Sequence, residues 1–111
     1  MNFLDNAILD TNKPEVTNEI INGAMYMNVP YIISEEDGVY KYIIFSMPRS
    51  EYNYDSLVSN IIDLHYRTRE MFAIMNNYLT EPDNEKYKKE FDELQTVRKN
   101  AKEYVKKHFN F

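Results

Sequence analysis

The stretch YDSLVSNIIDLHYRTREMFAIMNN, residues 54–77, decides how the second half of the chain folds. Apolar residues recur in it at intervals of three and four, which is typical of an amphipathic helix. Phe72 and Leu79 would extend the stripe of one continuous helix only if Arg69 lay in it, and a charged side chain is costly to bury. We therefore predict two shorter helices that meet at a corner, at Arg67–Thr68.

The two predicted helices run over about 54–66 and 69–79. Asn53 or Ser50 is a suitable cap for the first helix, and Thr68 is a suitable cap for the second. Such side chains carry an oxygen that accepts a hydrogen bond from a free N–H group in the first turn of a helix.

A longer amphipathic pattern follows Pro82 and predicts a third helix over 84–108, capped by Asp83. One side of this helix is charged, and the other carries apolar residues at helical spacing. A helix of this kind packs along other helices, so we expect the second half of the chain to form a helical hairpin. The apolar stripe consists of Tyr87, Phe91, Leu94, Val97, Ala101, Tyr104 or Val105, and His108.

Two β-rich runs flank a charged turn at Gly38 and predict a β-hairpin over 29–47. Side chains alternate between the two faces of a strand, so Tyr40, Tyr42 and Ile44 share one face. Neither face of this hairpin is fully polar. We expect helices to cover one face and a partner or the N-terminal segment to cover the other, and we assign Tyr40, Tyr42 and Ile44 as candidate partner contacts.

The segment 1–28 has a weaker pattern and is predicted as an N-terminal arm. One alternative is a short helix that begins at Pro14 and ends at Gly23, because proline is tolerated at the start of a helix and glycine ends one. The other is a hairpin around Asn22–Gly23, a residue pair favoured in tight turns, or an extended arm. The sequence slightly favours the hairpin or the extended arm over the helix.

Length and composition limit the class of protein. With 111 residues the chain can bury one modest core, so we predict a single α+β domain with an arm at 1–28, a hairpin at 29–47 and a helical region at 53–109. A formal net charge of -5 argues against nucleic-acid binding. The sequence contains no cysteine, and we expect neither a signal peptide nor a membrane span.

No group of residues in the sequence predicts chemistry. His65 and His108 lie far apart in the chain, and a zinc site needs three or four converging ligands. Gly23 and Gly38 are the two glycines of the sequence, which is too few for a glycine-rich phosphate loop. We therefore predict a protein that is not an enzyme, with no catalytic residue, no cofactor and no metal.

The helical region carries a set of apolar and capping positions. They are Tyr54, Leu57–Val58, Ile61–Ile62, His65–Tyr66, Thr68, Glu70, Ala73–Ile74, Tyr87 and Ala101–Lys102. In these positions the region resembles small accessory proteins encoded among the structural genes of tailed bacteriophages and prophages. The resemblance covers about half of the chain and departs from the pattern of those proteins at His65 and at Asn76–Asn77.

The resemblance implies a virion accessory protein, an adaptor or attachment protein at the capsid, neck or fibre. Such a protein binds other virion proteins, is assembled in the host cytoplasm and stays in the virion. The alternatives are a tail or fibre assembly chaperone that is absent from the mature particle, and a small acidic inhibitor of a host protein. Because the first half of the chain is rich in acids and the last helical turns are basic, we also expect self-association, most simply as a homodimer.

Overall fold

A computed structural model of the chain describes residues 6–111. Its architecture is α+β, with strands in the first half and helices in the second, as the sequence predicted. Contacts between residues group the chain into two compact units, Met1–Tyr52 and Asn53–Phe111. The prediction of a single domain stays a prediction, because two compact units can form one domain or two.

The first unit contains a four-stranded antiparallel sheet in the order β1-β4-β3-β2. Its strands are β1 (Ile8–Asp10), β2 (Thr17–Ile21), β3 (Ala24–Glu36) and β4 (Val39–Pro48). A single 3-10 turn, Arg49–Glu51, follows the last strand. The predicted hairpin is therefore the centre of the sheet, and the segment predicted as an arm supplies both edge strands.

Two tight turns fix the pairing of these strands. Ile21 pairs with Ala24 across Asn22–Gly23, and both turn residues have positive φ angles, 51° and 79°. This geometry is a type I′ turn, whose twist matches that of the strands it joins. The hairpin expected at Asn22–Gly23 is therefore confirmed, and the alternative of a helix from Pro14 is wrong.

The second turn has the same form. Glu36 pairs with Val39 across Asp37–Gly38, where the φ angles are 52° and 75°. The predicted division between an arm at 1–28 and a hairpin at 29–47 is not a structural boundary, because β3 runs through it. Residues 1–5 of the predicted arm lie outside the described residues.

The centre of the sheet is buried on one face. Met27 pairs with Met47 in the register of β3 and β4, and directly opposed residues share a face. Val29 and Ile43 lie on the same face at alternating positions, and all four side chains are buried. The alternation of side chains predicted for β4 therefore places Ile43 and Met47 together on this buried face.

The second unit contains three helices, α1 (Tyr54–His65), α2 (Thr68–Thr80) and α3 (Glu85–His108). Both α1 and α2 contact α3. Tyr66 and Arg67 between α1 and α2 have extended backbones and form the corner. The predicted helical hairpin with a corner is thus confirmed, with ends within two residues of the predicted ones.

The observed N-caps of these helices agree only in part with those predicted from the sequence. The side chain of Asn53 accepts a hydrogen bond from the Ser56 N–H at 2.9 Å, so Asn53 caps α1 as one of the predicted alternatives. The predicted cap Asp83 is wrong, because its neighbour Asn84 accepts from the Tyr87 N–H at 3.2 Å and begins α3.

The predicted cap at Thr68 is also wrong. Thr68 already has helical geometry as the first residue of α2, and Arg67 occupies the cap position. An arginine side chain has no acceptor, so the capping interaction runs in the other direction. The carboxylate of Glu70 accepts from the Arg67 N–H at 3.3 Å and ties the corner to the first turn of α2.

The core of the helical unit lies along α3. The Tyr78 ring of α2 stacks on Phe91 of α3, with ring centroids 4.2 Å apart and planes 9° from parallel. Among the described residues α2 has no buried side chain, whereas α1 and α3 do. The buried residues of α1 and α3 are Leu57, Val58, Ile61, Ile62, Leu94, Ala101 and Val105.

Leu94 and Leu79 provide a matched test of this core. Leu94 is 0 % exposed and Leu79 is 73 % exposed. We expect Leu94→Ala to lower the free energy of unfolding by about 2–5 kcal/mol, because it removes buried methyl groups and leaves a cavity. Leu79→Ala should change it by less than about 0.5 kcal/mol, as surface substitutions do. Urea unfolding followed by circular dichroism measures both, and equal losses would contradict this core.

Candidate protein-binding surface

The second face of the sheet has an apolar centre. We name it the Ile44 face and define its centre by Ile8, Pro30, Ile32, Tyr42 and Ile44. Ile8, Tyr42 and Ile32 are opposite one another across β1, β4 and β3, and Ile44 is opposite Pro30. Ile44 is 51 % exposed and Ile8 is 41 % exposed, so part of this apolar centre is open to solvent.

A polar rim borders the Ile44 face next to the Asp37–Gly38 turn. Tyr40 is opposite Asp10 on one side and opposite Glu35 on the other. Desolvation and then the neighbouring Glu35 carboxylate raise the pKa of Tyr40. Its hydroxyl therefore stays protonated at neutral pH and donates a hydrogen bond to that carboxylate.

A second polar rim borders the other end of the Ile44 face. The Ser46 hydroxyl donates to Oδ1 of Asn28 at 2.6 Å, and Nδ2 of Asn28 donates to Glu19 at 3.4 Å. These bonds connect β4, β3 and β2 across the face. An apolar centre between polar rims is the usual composition of a protein–protein contact surface.

The three predicted contact residues share the Ile44 face but differ in exposure. Tyr42 is 8 % exposed, so its side chain offers little surface to a partner. Tyr40 is half-buried, and Ile44 exposes the largest fraction of the three. Their role as partner contacts stays a prediction, and Ile44 is the residue on which a test is best based.

Sequence reasoning missed Ile8 as a neighbour of these residues. Ile8 lies more than thirty positions before Tyr42, and only the pairing of β1 with β4 brings them together. It also missed the exposed apolar pair Ile20 and Met25 on the opposite face. The Asn22–Gly23 turn could have predicted this pair, because a two-residue hairpin turn at these positions places Ile20 opposite Met25.

The helical unit has an open, charged depression beside its corner, with a volume of about 560 Å³. Tyr66 lines it together with lysines and carboxylates of α3. Burial raises the pKa of Tyr66, and the carboxylates of Glu93, Glu70 and Glu90 raise it further. A phenol with a raised pKa stays protonated at neutral pH, so Tyr66 is not placed to act as a general base.

The two histidines lie on different helices. His65 ends α1 and is half-buried, whereas His108 ends α3 and has its ring 4.3 Å from that of Tyr104. Within residues 6–111 there is no group of three or more His, Cys, Asp or Glu side chains that could hold a metal ion. In the same part of the chain, no helix is both long enough and apolar enough to span a membrane.

Comparisons of the chain with protein-family models, with curated proteins and with solved structures found no match. A functional proposal therefore rests on the surfaces of the protein and on the sequence resemblance.

His65 gives the fold a predicted pH dependence. Burial lowers the pKa of His65 from its ordinary value of 6.5, so the folded protein binds fewer protons than the unfolded chain below that pH. Its contribution to stability is complete above pH 6.5 and is lost as the pH falls through the lowered pKa. We expect the free energy of unfolding to fall as the pH drops below about 6.5, before most carboxylates titrate.

Urea unfolding of the wild type and of His65→Gln at several pH values in that range measures the effect. The variant should lose less stability than the wild type as the pH falls. Identical pH profiles for the two proteins would show that His65 does not cause the decline.

Proposed function

We propose that the protein is a non-enzymatic accessory protein of a tailed-phage virion, which attaches to another virion protein through the Ile44 face. The observation that carries the binding part of this proposal is the half-exposed Ile44 side chain, set beside Ile8 and Tyr42 in the centre of a polar-rimmed face. The resemblance of the helical region to phage accessory proteins supports the virion part.

The driving force for binding is the burial of the apolar area at the centre of the Ile44 face. Removing apolar surface from water is favourable by about 25 cal/mol for each Å², from which the entropy and desolvation costs of association are then subtracted. Single exposed apolar side chains are ordinary, but neighbouring ones enclosed by polar residues are typical of contact sites. Ile8 and Ile44 lie on adjacent strands, both next to Tyr42, so a partner side chain can cover both.

The rims indicate the chemistry of the partner surface. Asp10 and Glu35 lie at one end of the Ile44 face, and Glu19 lies at the other. A partner with lysine or arginine around an apolar centre would complement these carboxylates. Such rim charges contribute mainly to the rate of association and to specificity.

The absence of enzymatic activity is part of the proposal. The charged depression at Tyr66 is open, and the pKa of its phenol is raised, away from the range useful for a base at neutral pH. A rigid sheet with an exposed apolar centre needs no further chemistry in order to act as an adaptor.

Quantitative mass spectrometry tests the virion role. Purified particles are compared with the soluble lysate that produced them, with the major capsid protein as the reference for copy number. The proposal predicts the protein at a fixed ratio to the capsid protein in the particles. Absence from the particles with abundance in the lysate would overturn the virion role and favour an assembly chaperone or an inhibitor.

Ile44→Glu tests the binding surface. The substitution places a charge at the centre of the face, and we expect its incorporation into particles to fall at least about tenfold, as for the loss of a central contact residue. Ile20→Glu is the matched control, because Ile20 is 70 % exposed and lies on the opposite face of the sheet. Equal incorporation of both variants would show that the Ile44 face is not the contact surface.

A further inference from the structure

The outer side of α2 exposes apolar side chains that the fold does not use. Phe72 is 61 % exposed and Leu79 is 73 % exposed. Phe72, Asn76 and Leu79 follow one another at intervals of four and three, so they lie on one side of the helix. Tyr78 stacks on Phe91 of α3, whereas Phe72, Asn76 and Leu79 remain exposed.

Four charges at the ends of α2 are arranged against its own dipole, whereas Glu70 in its first turn is favourable. Arg67 and Arg69 lie at its beginning, and Glu81 and Asp83 lie just beyond its end. A helix favours acids at its beginning and bases at its end, so these two pairs are unfavourable for α2 alone. Within residues 6–111 no ion pair involves the side chains of these four residues, all of which are exposed.

A groove lies directly beside this side of α2. Its apolar lining comes from Ile62 of α1, Met71 and Met75 of α2, and Leu94 of α3, and Phe72 stands at its border. Its volume is about 260 Å³. That is below the usual range for a site that encloses a small organic ligand and is sufficient for a protruding side chain.

We infer that two copies of the chain associate through this surface, with their α2 helices antiparallel across a twofold axis near Asn76. The surface, here named the α2 surface, consists of Arg69, Phe72, Asn76 and Leu79 on one side of the helix, with Glu81 just beyond its C-terminal end. In this arrangement Phe72 of one copy lies against Leu79 of the other, and each Leu79 reaches the groove of the other copy. Arg69 of one copy approaches Glu81 of the other.

The charge pattern is the reason for choosing a second copy as the partner. An antiparallel copy brings the basic beginning of one α2 to the acidic end of the other, at both ends of the contact at once. The charges that are unfavourable within one helix thereby become favourable between two. The apolar residues fit the same twofold axis. Phe72 lies four residues before Asn76 and Leu79 lies three residues after it, so the two side chains of different copies can meet.

The size of the surface determines the strength expected. A single helix of 13 residues and one groove bury less than the roughly 800 Å² per partner of a standard interface. The dimer should therefore be reversible and depend on concentration. It requires only this chain, so it is independent of the virion role and of the Ile44 face.

Sedimentation equilibrium of the purified full chain over a wide concentration range tests the inference. The wild type should pass from monomer to dimer, and Leu79→Glu should raise the dissociation constant at least about tenfold, because it removes apolar contact and places a charge at the groove. Ile20→Glu is the matched control, since Ile20 is 70 % exposed and lies on the sheet. Circular dichroism confirms that both variants are folded.

A charge exchange tests the antiparallel arrangement. Arg69→Glu and Glu81→Lys should each weaken the dimer several-fold, and the double variant should restore it. Each single substitution improves the match between the charges of α2 and its dipole, so weaker association cannot come from a weaker α2. The effects should shrink in high salt, which screens exposed charges.

The outcomes that would overturn the inference are distinct from those that bear on the virion role. A wild type that stays monomeric at all concentrations would contradict it, and so would a dimer that is disrupted by Ile20→Glu and unaffected by Leu79→Glu. A dimer that Leu79→Glu disrupts but the charge exchange does not restore would contradict the antiparallel arrangement.

Discussion

The helical unit depends on the burial of the apolar stripe of α3. Leu94, Ala101 and Val105 are buried, and they lie on a helix long enough to contact both α1 and α2. The helices α1 and α2 have 12 and 13 residues, and isolated helices of that length are marginal in water. Packing on α3 therefore stabilises α1 and α2. The corner between α1 and α2 determines which of their side chains contact α3. The side of α2 that faces away from α3 stays exposed, because α3 can cover only one side of that helix.

The sheet depends on a comparable constraint, which is the positive φ of its two tight turns. Asn22–Gly23 and Asp37–Gly38 each close a two-residue turn, and together with a β-bulge between Ile32 and Ser34 they set the register of β2, β3 and β4. That register places the methionine pair Met27 and Met47 in the core and Ile44 on the other face. A shift by one residue in either hairpin would exchange the two faces. The composition of the Ile44 face therefore depends on the register that the two turns and the bulge set.

The sequence predicted most accurately what local periodicity controls. The helices α1, α2 and α3 begin and end within two residues of their predicted bounds, because apolar spacing and charge exclusion are local signals. The caps at Thr68 and Asp83 were predicted wrongly, because neighbouring residues compete for one capping position and the sequence does not say which of them is extended. Arg69 does lie on the same side of α2 as Phe72 and Leu79, as one continuous stripe would require. That side of the helix is exposed to solvent, so the arginine is not buried.

Contacts between distant segments could not be predicted in the same way. The burial of Tyr42 depends on neighbours from β1 and β3, and the pairing of Ile8 with Tyr42 follows no local pattern. The groove beside α2 needs side chains from three helices, whose relative rotation is set by packing and not by spacing. The prediction that Tyr40, Tyr42 and Ile44 share one face was therefore correct, while the burial of Tyr42 was not predicted.

The edge strand β2 has a consequence for solubility. All five of its residues are exposed, and an unpaired strand edge is a template on which strands of other molecules can add. Ile20 and Ile21 are exposed apolar residues of that edge, and Glu19 beside them is the one charged residue of β2. A charged residue in an edge strand disfavours pairing with another strand, and the Glu19 carboxylate accepts a hydrogen bond from Asn28 at 3.4 Å. The carboxylate at the rim of the Ile44 face is therefore also the charge of the edge strand.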